Sequence, residues 1–464
     1  MIEAVPMLTR DKSFYKRYFS LLLFIACQNL LSYSVSLLDN VMLARFSTDA
    51  LSGASLANQI QFLLQMIVTS VGEGVAVISS QYWGTRRTKP ITKLSGIGNT
   101  VALCVGVIFF AAAALFPYRI MHLLSDDEVI LANAVDYFSV IKYTYPAFCL
   151  STVMLATMRS VENARIGFFT MFGSLIVNLF FNYCLIFGNF GFEAHGIRGA
   201  AYATLIARVF ELCVAVIYAY GIDKKLSLKL REFFAYDKTL WRDYFKHATP
   251  IILSGTSWGI AMFIQTSIIG HMKSGAVAAN ALAVSLFSVI TVFAYGGGSA
   301  SGVITGKLVG RGCTKEELKP YVNTMQLLFL ATGIVTGLVI FLLKDSVIRL
   351  YDLDTEEARR YANQFLTVLS ITSIGTSYQA PCLTGIVRGG GHTKFVFYND
   401  LIFQWCIVLL FSLLAAYVWK LEPVWVFLML KSDQVLKCGV AVFEVNSYRW
   451  IRVLTQKAEK NEAV

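Results

Sequence analysis

Asp39 is the side chain whose chemistry most needs a reason. It lies in an apolar run that begins at Leu21, and no other charge interrupts that run before Arg45. A carboxylate near the centre of a membrane-spanning helix costs about 2.5–3.5 kcal/mol on insertion scales. An acid kept at that cost is a candidate to hold a proton or a hard cation. Gln28, Ser32, Ser36 and Asp39 follow one another at spacings of four, four and three, which is one helical face. Asn58, Gln61, Gln65, Thr69 and Glu73 make a similar stripe, and Ser174, Asn178 and Asn182 repeat every four residues. Such stripes serve interhelical hydrogen bonding, at about 0.6 kcal/mol per pair in membranes, or line a water-accessible cavity. For the amides alone the first use is the stronger reading. The carboxylate shifts the balance to the second.

Other chemistries find little support. The nine cysteines show no CxxC and no pairing with histidine, so they read as small buried hydrophobes. The five histidines are scattered, which argues against a metal centre. No paired acids, nucleophile with a base or phosphate-binding glycine loop suggests an enzyme or an ATP site. "YGGGSASG" has the wrong pattern and reads as close helix packing.

The elements that must carry these residues are membrane helices. The chain has 464 residues, 56% of them hydrophobic and only 15% charged. Apolar segments of 20 residues or more recur from end to end, each long enough to cross a hydrocarbon core of about 30 Å. Twelve spans are expected, at 18–44, 51–82, 94–117, 134–158, 166–188, 199–221, 248–270, 276–306, 321–343, 361–387, 395–418 and 423–445. The last is the weakest, because Lys431, Asp433 and Lys437 interrupt it; eleven spans plus a surface helix is the alternative. "MIEAVPMLTRDKSFYKR" contains no short apolar region with a cleavage site, so the first run is expected to be retained.

Basic residues orient the chain. With the N-terminus in the cytoplasm, 27 of the 40 lysines and arginines fall in cytoplasmic segments, nine in the opposite loops and four within spans. That threefold bias is a positive-inside signal and puts both termini in the cytoplasm. The net charge of +11 then reflects topology and contact with anionic membrane lipid. No clustered basic domain points to nucleic acid.

The chain repeats itself. A shift of 226 residues aligns 50–89 with 276–315 without a gap, and nine of those forty positions are identical. They include Gly72 with Gly298, Gly84 with Gly310, and Thr88-Lys89 with Thr314-Lys315. A shift of 229 brings Arg159 onto Arg388. This is a duplication of six spans, giving an N-terminal half at 1–221, a cytoplasmic linker at 222–247 and a C-terminal half at 248–464. Parallel repeats of this kind place a substrate pathway between their halves. The acids are not duplicated: Asp39 falls on Gln265, Glu73 on Ser299, and Asp400 of the second half on Met171. Coupling chemistry is therefore expected in the N-terminal half, with Gln265 and Asp400 as further cavity candidates. Arg208 and Glu211, three apart, read as a self-neutralising pair, and Lys142 as a snorkelling lysine.

"LLDNVMLARFSTDALSGASLANQIQF", "GEGVAVISSQYWG", "VRGGGHTKF", "GFFTMFGSLIVNLFFNYCLIFG", "GIRGAAYATLIARVFEL" and "SGAVAANALAVSLFSV" resemble the multidrug and toxic compound extrusion family, in its bacterial branch. The resemblance covers nearly the whole chain. It implies two six-helix lobes that export amphipathic, often cationic compounds in exchange for Na+ or H+, with no cofactor and as a monomer. It also implies a cation site in the first lobe, onto which Asp39, Asn178 and Thr204 map. Where some members carry a second aspartate, this chain has Asn182, which leaves Na+ and H+ both open. The seventh span lacks a glutamate that some members place there, and His392 stands where many relatives have aspartate. A lipid-linked precursor flippase of the same superfamily is the runner-up, although intramembrane Lys and Arg are few here. A channel and a membrane-embedded enzyme are remoter alternatives.

Overall fold

The computed structural model describes residues 7–226, 237–351 and 355–455. The middle of the expected linker, 227–236, lies outside the described residues, as do both chain ends. Regular structure among the described residues is helical throughout. The first elements are α1 (Lys12–Phe46), α2 (Thr48–Gly84), α3 (Lys89–Leu115), α4 (Pro117–His122), α5 (Glu128–Ile141), α6 (Thr144–Ser160), α7 (Arg165–Phe187) and α8 (Gly196–Ile217). After the linker come α9 (Lys238–Gly270), α10 (Ser274–Ile290), α11 (Val292–Gly310), α12 (Lys315–Leu350) and α13 (Glu356–Ala380). The last are α14 (Thr393–Leu401), α15 (Leu410–Leu413), α16 (Pro423–Leu430) and α17 (Ser432–Ser447). Wider π-type turns occupy Tyr218–Ile222, Pro381–Val387, Ile402–Leu409 and Leu414–Val418.

Nine of these helical stretches, among the described residues, are long and apolar enough to cross a membrane. The 35 residues of α1 reach about 52 Å at 1.5 Å per residue, well beyond the hydrocarbon core. The other three expected spans are helical but interrupted. The fourth breaks between Ile141 and Thr144, and the tenth passes into a π-type turn at Pro381. The twelfth is cut at Lys431, where α16 ends and α17 begins. Local chemistry sets several starts. Asp127 accepts from the Val129 and Ile130 amides to open α5. Thr314 and Glu317 form a reciprocal capping box on α12.

Internal contacts divide the chain into two compact units. One comprises Phe24–Val75 and Ile91–Tyr244; the other comprises Met1–Leu23, Ala76–Pro90 and Phe245–Val464. The beginning of α1 and the end of α2 therefore sort with the later part of the chain. Within that second unit the end of α2 packs on α11 through glycines. A Cβ on Gly84 would stand 2.2 Å from the Lys307 carbonyl oxygen, and one on Gly310 would stand 2.0 Å from that of Gln81. A Cβ on Gly306 would meet Ser80. The "YGGGSASG" stretch does serve close packing: Gly298 and Gly302 approach Pro381 and Gly385. Elsewhere in the unit, Phe365 stacks on Phe427 at 4.2 Å inside an aliphatic core of α10, α12 and α13 residues.

Candidate functional site

Asp39, Asn178 and Asn182 come together within the first unit. The stripe on α7 is buried along its length at Ser174, Asn178 and Asn182. Ser174 donates to the Ala207 carbonyl at 3.3 Å, which ties α7 to α8. Gly199 tightens the same pair, since a Cβ there would stand 2.2 Å from the Leu185 carbonyl oxygen. The stripe on α1 lies along α7 in advancing register. Gln28 sits over Gly167, Ser32 donates to the Met171 sulfur at 3.7 Å, and Asp39 meets Asn182. The two helices therefore run parallel, and one polar face meets another.

At the meeting point the Asn182 amide donates to Asp39 Oδ1 and to Asn178 Oδ1, the latter at 3.1 Å. The Asn182 side-chain oxygen and the Asn178 side-chain nitrogen are buried and have no hydrogen-bond partner among the described residues. A buried acceptor without a donor is an expensive arrangement, about 1–3 kcal/mol. Beside a carboxylate it adds a second oxygen of the kind that hard cations take as ligands. Tyr137, fully buried on α5, lies beside Thr204 and Asn58 and within electrostatic reach of Asp39. Thr204 itself donates to the Ala200 carbonyl at 3.1 Å. No spacing in the sequence marks Tyr137 out from the other tyrosines; only the fold brings its hydroxyl there.

Arg208 is the nearby positive charge, and its field reaches Asp39. It is also committed elsewhere. Arg208 pairs with Glu211 at 2.8 Å, as the three-residue spacing suggests, and lies over the Phe148 ring at 4.9 Å. Glu211 takes a further hydrogen bond from Ser151 at 2.9 Å. The pair is self-contained, and Asp39 has no ion-pair partner of its own among the described residues.

The remaining candidates fall into different settings. Asn58 joins the site through Tyr137, and the Gln61 carbonyl oxygen is buried without a partner among the described residues. Ser36 and Gln65 are exposed. Glu73 is held by Arg159 at 2.8 Å, away from the Asp39 cluster in its partners. In the other unit, Gln265 is half-buried. Asp400 there accepts from Ser254 at 2.6 Å and from Lys437 at 3.0 Å, with Arg388 at 3.8 Å. Lys437 also reaches Asp433 at 3.6 Å. Two acids are matched by two bases, so Asp400 is a member of an ion-pair network, whereas Asp39 has no ion pair among the described residues.

Comparison with known proteins agrees with this architecture. A family model described as MatE matches residues 25–184 and 250–403. An uncharacterized transporter, YisQ, of Bacillus subtilis is 24% identical over 80% of this chain and 80% of its own length. A probable multidrug resistance protein, NorM, of Thermotoga maritima is 26% identical over 71% of this chain and 70% of its own. Among solved structures, a MATE protein in complex with MaL6 superposes with a TM-score of 0.84 at 17% identity, covering 96% of this chain and 99% of that one.

Proposed function

The chain belongs to the multidrug and toxic compound extrusion family of membrane transporters, and from that premise we propose that it expels amphipathic, cationic compounds in exchange for Na+ or H+. The observation that carries this reading is the Asp39 cluster: an acid without its own counter-ion beside a buried, unpartnered Asn182 oxygen. A proton would neutralise the carboxylate and remove its desolvation cost. Na+ would do the same while using oxygens of Asp39, Asn178, Asn182 and Thr204 as ligands. Either occupancy favours one conformation of the chain over another, and a cationic substrate that competes for the same charge or the opposite conformation completes the exchange. Aromatic residues, 14% of the chain, offer faces for flat cations.

The same reading assigns twelve crossings to two six-helix halves, 1–221 and 248–464, joined by the cytoplasmic linker 222–247. It places the protein in the inner membrane, with both termini in the cytoplasm and no cofactor, working as a monomer on small molecules in a lipid setting. The relatives named for multidrug resistance support the substrate class.

Proteoliposomes loaded with a fluorescent cation, under separately imposed Na+ and H+ gradients, test the proposal. One gradient should drive transport. Asp39→Asn keeps the shape of the side chain and removes its charge, so gradient-driven transport should fall at least about tenfold, roughly 1.4 kcal/mol of lost coupling. Asp400→Asn should retain gradient-driven exchange. If Asp400→Asn abolishes exchange and Asp39→Asn leaves it near normal, the assignment of coupling to Asp39 is wrong.

A further inference from the structure

Residues 448–454 follow α17 as an irregular segment that is bound at every second or third residue. Trp450 is fully buried, with its indole nitrogen donating to the Val445 carbonyl at 2.8 Å. Its ring lies against Gly390, where a Cβ would stand 2.1 Å from Cε3. The Arg452 amide donates to the Gly390 carbonyl at 2.8 Å. Gly391, at φ +103°, leaves room for the Arg452 carbonyl 2.5 Å from where its own Cβ would be. The grip extends to α2. Gln81, fully buried, donates from its amide to the carbonyls of Arg452 at 3.1 Å and Gly389 at 3.4 Å. Its side-chain oxygen accepts from the Leu454 amide at 2.8 Å. One side chain from the end of α2 is thus held by the segment in both directions, all within one compact unit.

His392 stands between the segment and α17. Its Nδ1 is 2.9 Å from Glu444 Oε1, and its Nε2 is 2.7 Å from an Arg452 guanidinium nitrogen. A guanidinium can only donate, so Nε2 must accept and the single ring proton must sit on Nδ1, donated to Glu444. The contact therefore requires neutral histidine. A second proton would place an N–H on Nε2 facing the N–H of Arg452, with two positive charges at hydrogen-bond distance. Glu444 and Arg452 are the charged groups that face the ring, and Phe395 covers it at 5.3 Å.

We propose that segment 448–454 is a latch on the end of α2, closed while His392 is neutral and released when it is protonated. The closed state binds one proton fewer than the released state, so falling pH favours release. The environment agrees in direction: burial, with the Arg452 charge, holds His392 below the ordinary histidine value against the opposing pull of Glu444. The latch does not depend on the identity of the transported compound or the coupling ion.

Hydrogen–deuterium exchange on the purified full-length protein tests it, through the Arg452 and Leu454 amides. Exchange is measured at about pH 8 and about pH 5.5, either side of the ordinary histidine value near 6.5, and corrected for the intrinsic pH dependence of exchange. Protection of 450–454 should fall in the wild-type protein at the lower pH. In His392→Gln, which can still accept from Arg452, protection should be the same at both. Arg452→Gln removes the opposing charge and should also lose the pH response, from a lower starting protection. Unchanged wild-type protection overturns the latch. So does a pH response that survives His392→Gln and disappears in Glu444→Gln.

Discussion

Asn182 gives both of its amide hydrogens away and keeps an unused oxygen, and that imbalance sets what single substitutions at the site should do. Asn178→Ala removes the acceptor that steadies the Asn182 amide, at about 1 kcal/mol for a neutral hydrogen bond. Gradient-driven transport should fall roughly fivefold, less than in Asp39→Asn, when both are assayed in the same vesicles. Tyr137→Phe keeps the ring in place and removes the hydroxyl that lies against Thr204 and Asn58. Its thermal midpoint in detergent should stay within a few degrees of wild type while transport declines; unchanged transport would exclude the hydroxyl from the site. The α1 and α7 residues of this cluster were legible in the sequence because spacing on a helix fixes a face. Tyr137 was not, because no spacing within one helix reports which residue of another will meet it. The same limit hid the partners of Asp400, which come from positions 254, 388 and 437.

At the scale of elements, glycine decides how closely α2 and α11 approach. Gly84 and Gly310 each leave room for a backbone carbonyl of the other helix, so Gly84→Ala and Gly310→Ala should both destabilise, by about 1–3 kcal/mol as overpacking does. Once one alanine has pushed the helices apart, the second has less left to disturb. Their double variant should therefore lose less than the sum of the single losses, as read by denaturation of the purified protein. Gly439, inside α17, has open space within 4 Å of where a Cβ would stand; Gly439→Ala should be neutral or stabilising by up to about 1 kcal/mol. Asp237, just before α9, receives the Leu240 amide at 3.1 Å and Lys93 at 3.2 Å. Burial works against its charge, but these partners outweigh it and hold the carboxyl below the usual range. Its stabilisation is complete above the ordinary aspartate value and is lost as pH falls through the lower folded one, so Asp237→Asn should flatten the acid limb of the stability curve. Helix content was legible from hydropathy. Pro146 in the first turn of α6 and Pro381 at the start of a π-type turn are the sequence signals for two of the breaks; the other π-type turns hold no proline and were not legible.

At the scale of the molecule, the duplicated pattern and the basic-residue bias make separate claims. The bias predicts that single cysteines placed in loop 123–130 react with an impermeant reagent added to intact cells, and that those at 224–238 do not. Labelling of the linker from outside would reverse the orientation. Membership of the family was legible because the quoted stretches recur along nearly the whole chain. The division into compact units was not, because the sequence repeat joins residues by ancestry and the units join them by contact. Gln81 and Gly84 belong to the first repeat and pack with the second.

The glycine crossing has a further consequence when the 226-residue shift is applied to its own contacts. Gln81 corresponds to Lys307 and Gly84 to Gly310, so the approach of Gly84 to Lys307 is the counterpart of the approach of Gly310 to Gln81. This is the reciprocity of a twofold dimer interface, here written into a single polypeptide. Ser80 corresponds to Gly306, and these two meet each other: position 80 faces its own copy. A residue that faces its copy in a true homodimer must fit against itself. Gene duplication lifts that demand, because the two copies can differ, and here one holds a hydroxymethyl group while the other leaves the space for it. The seat takes one side chain but is indifferent to which helix supplies it. Gly306→Ser alone should lower the yield of folded protein, and adding Ser80→Gly should bring it back.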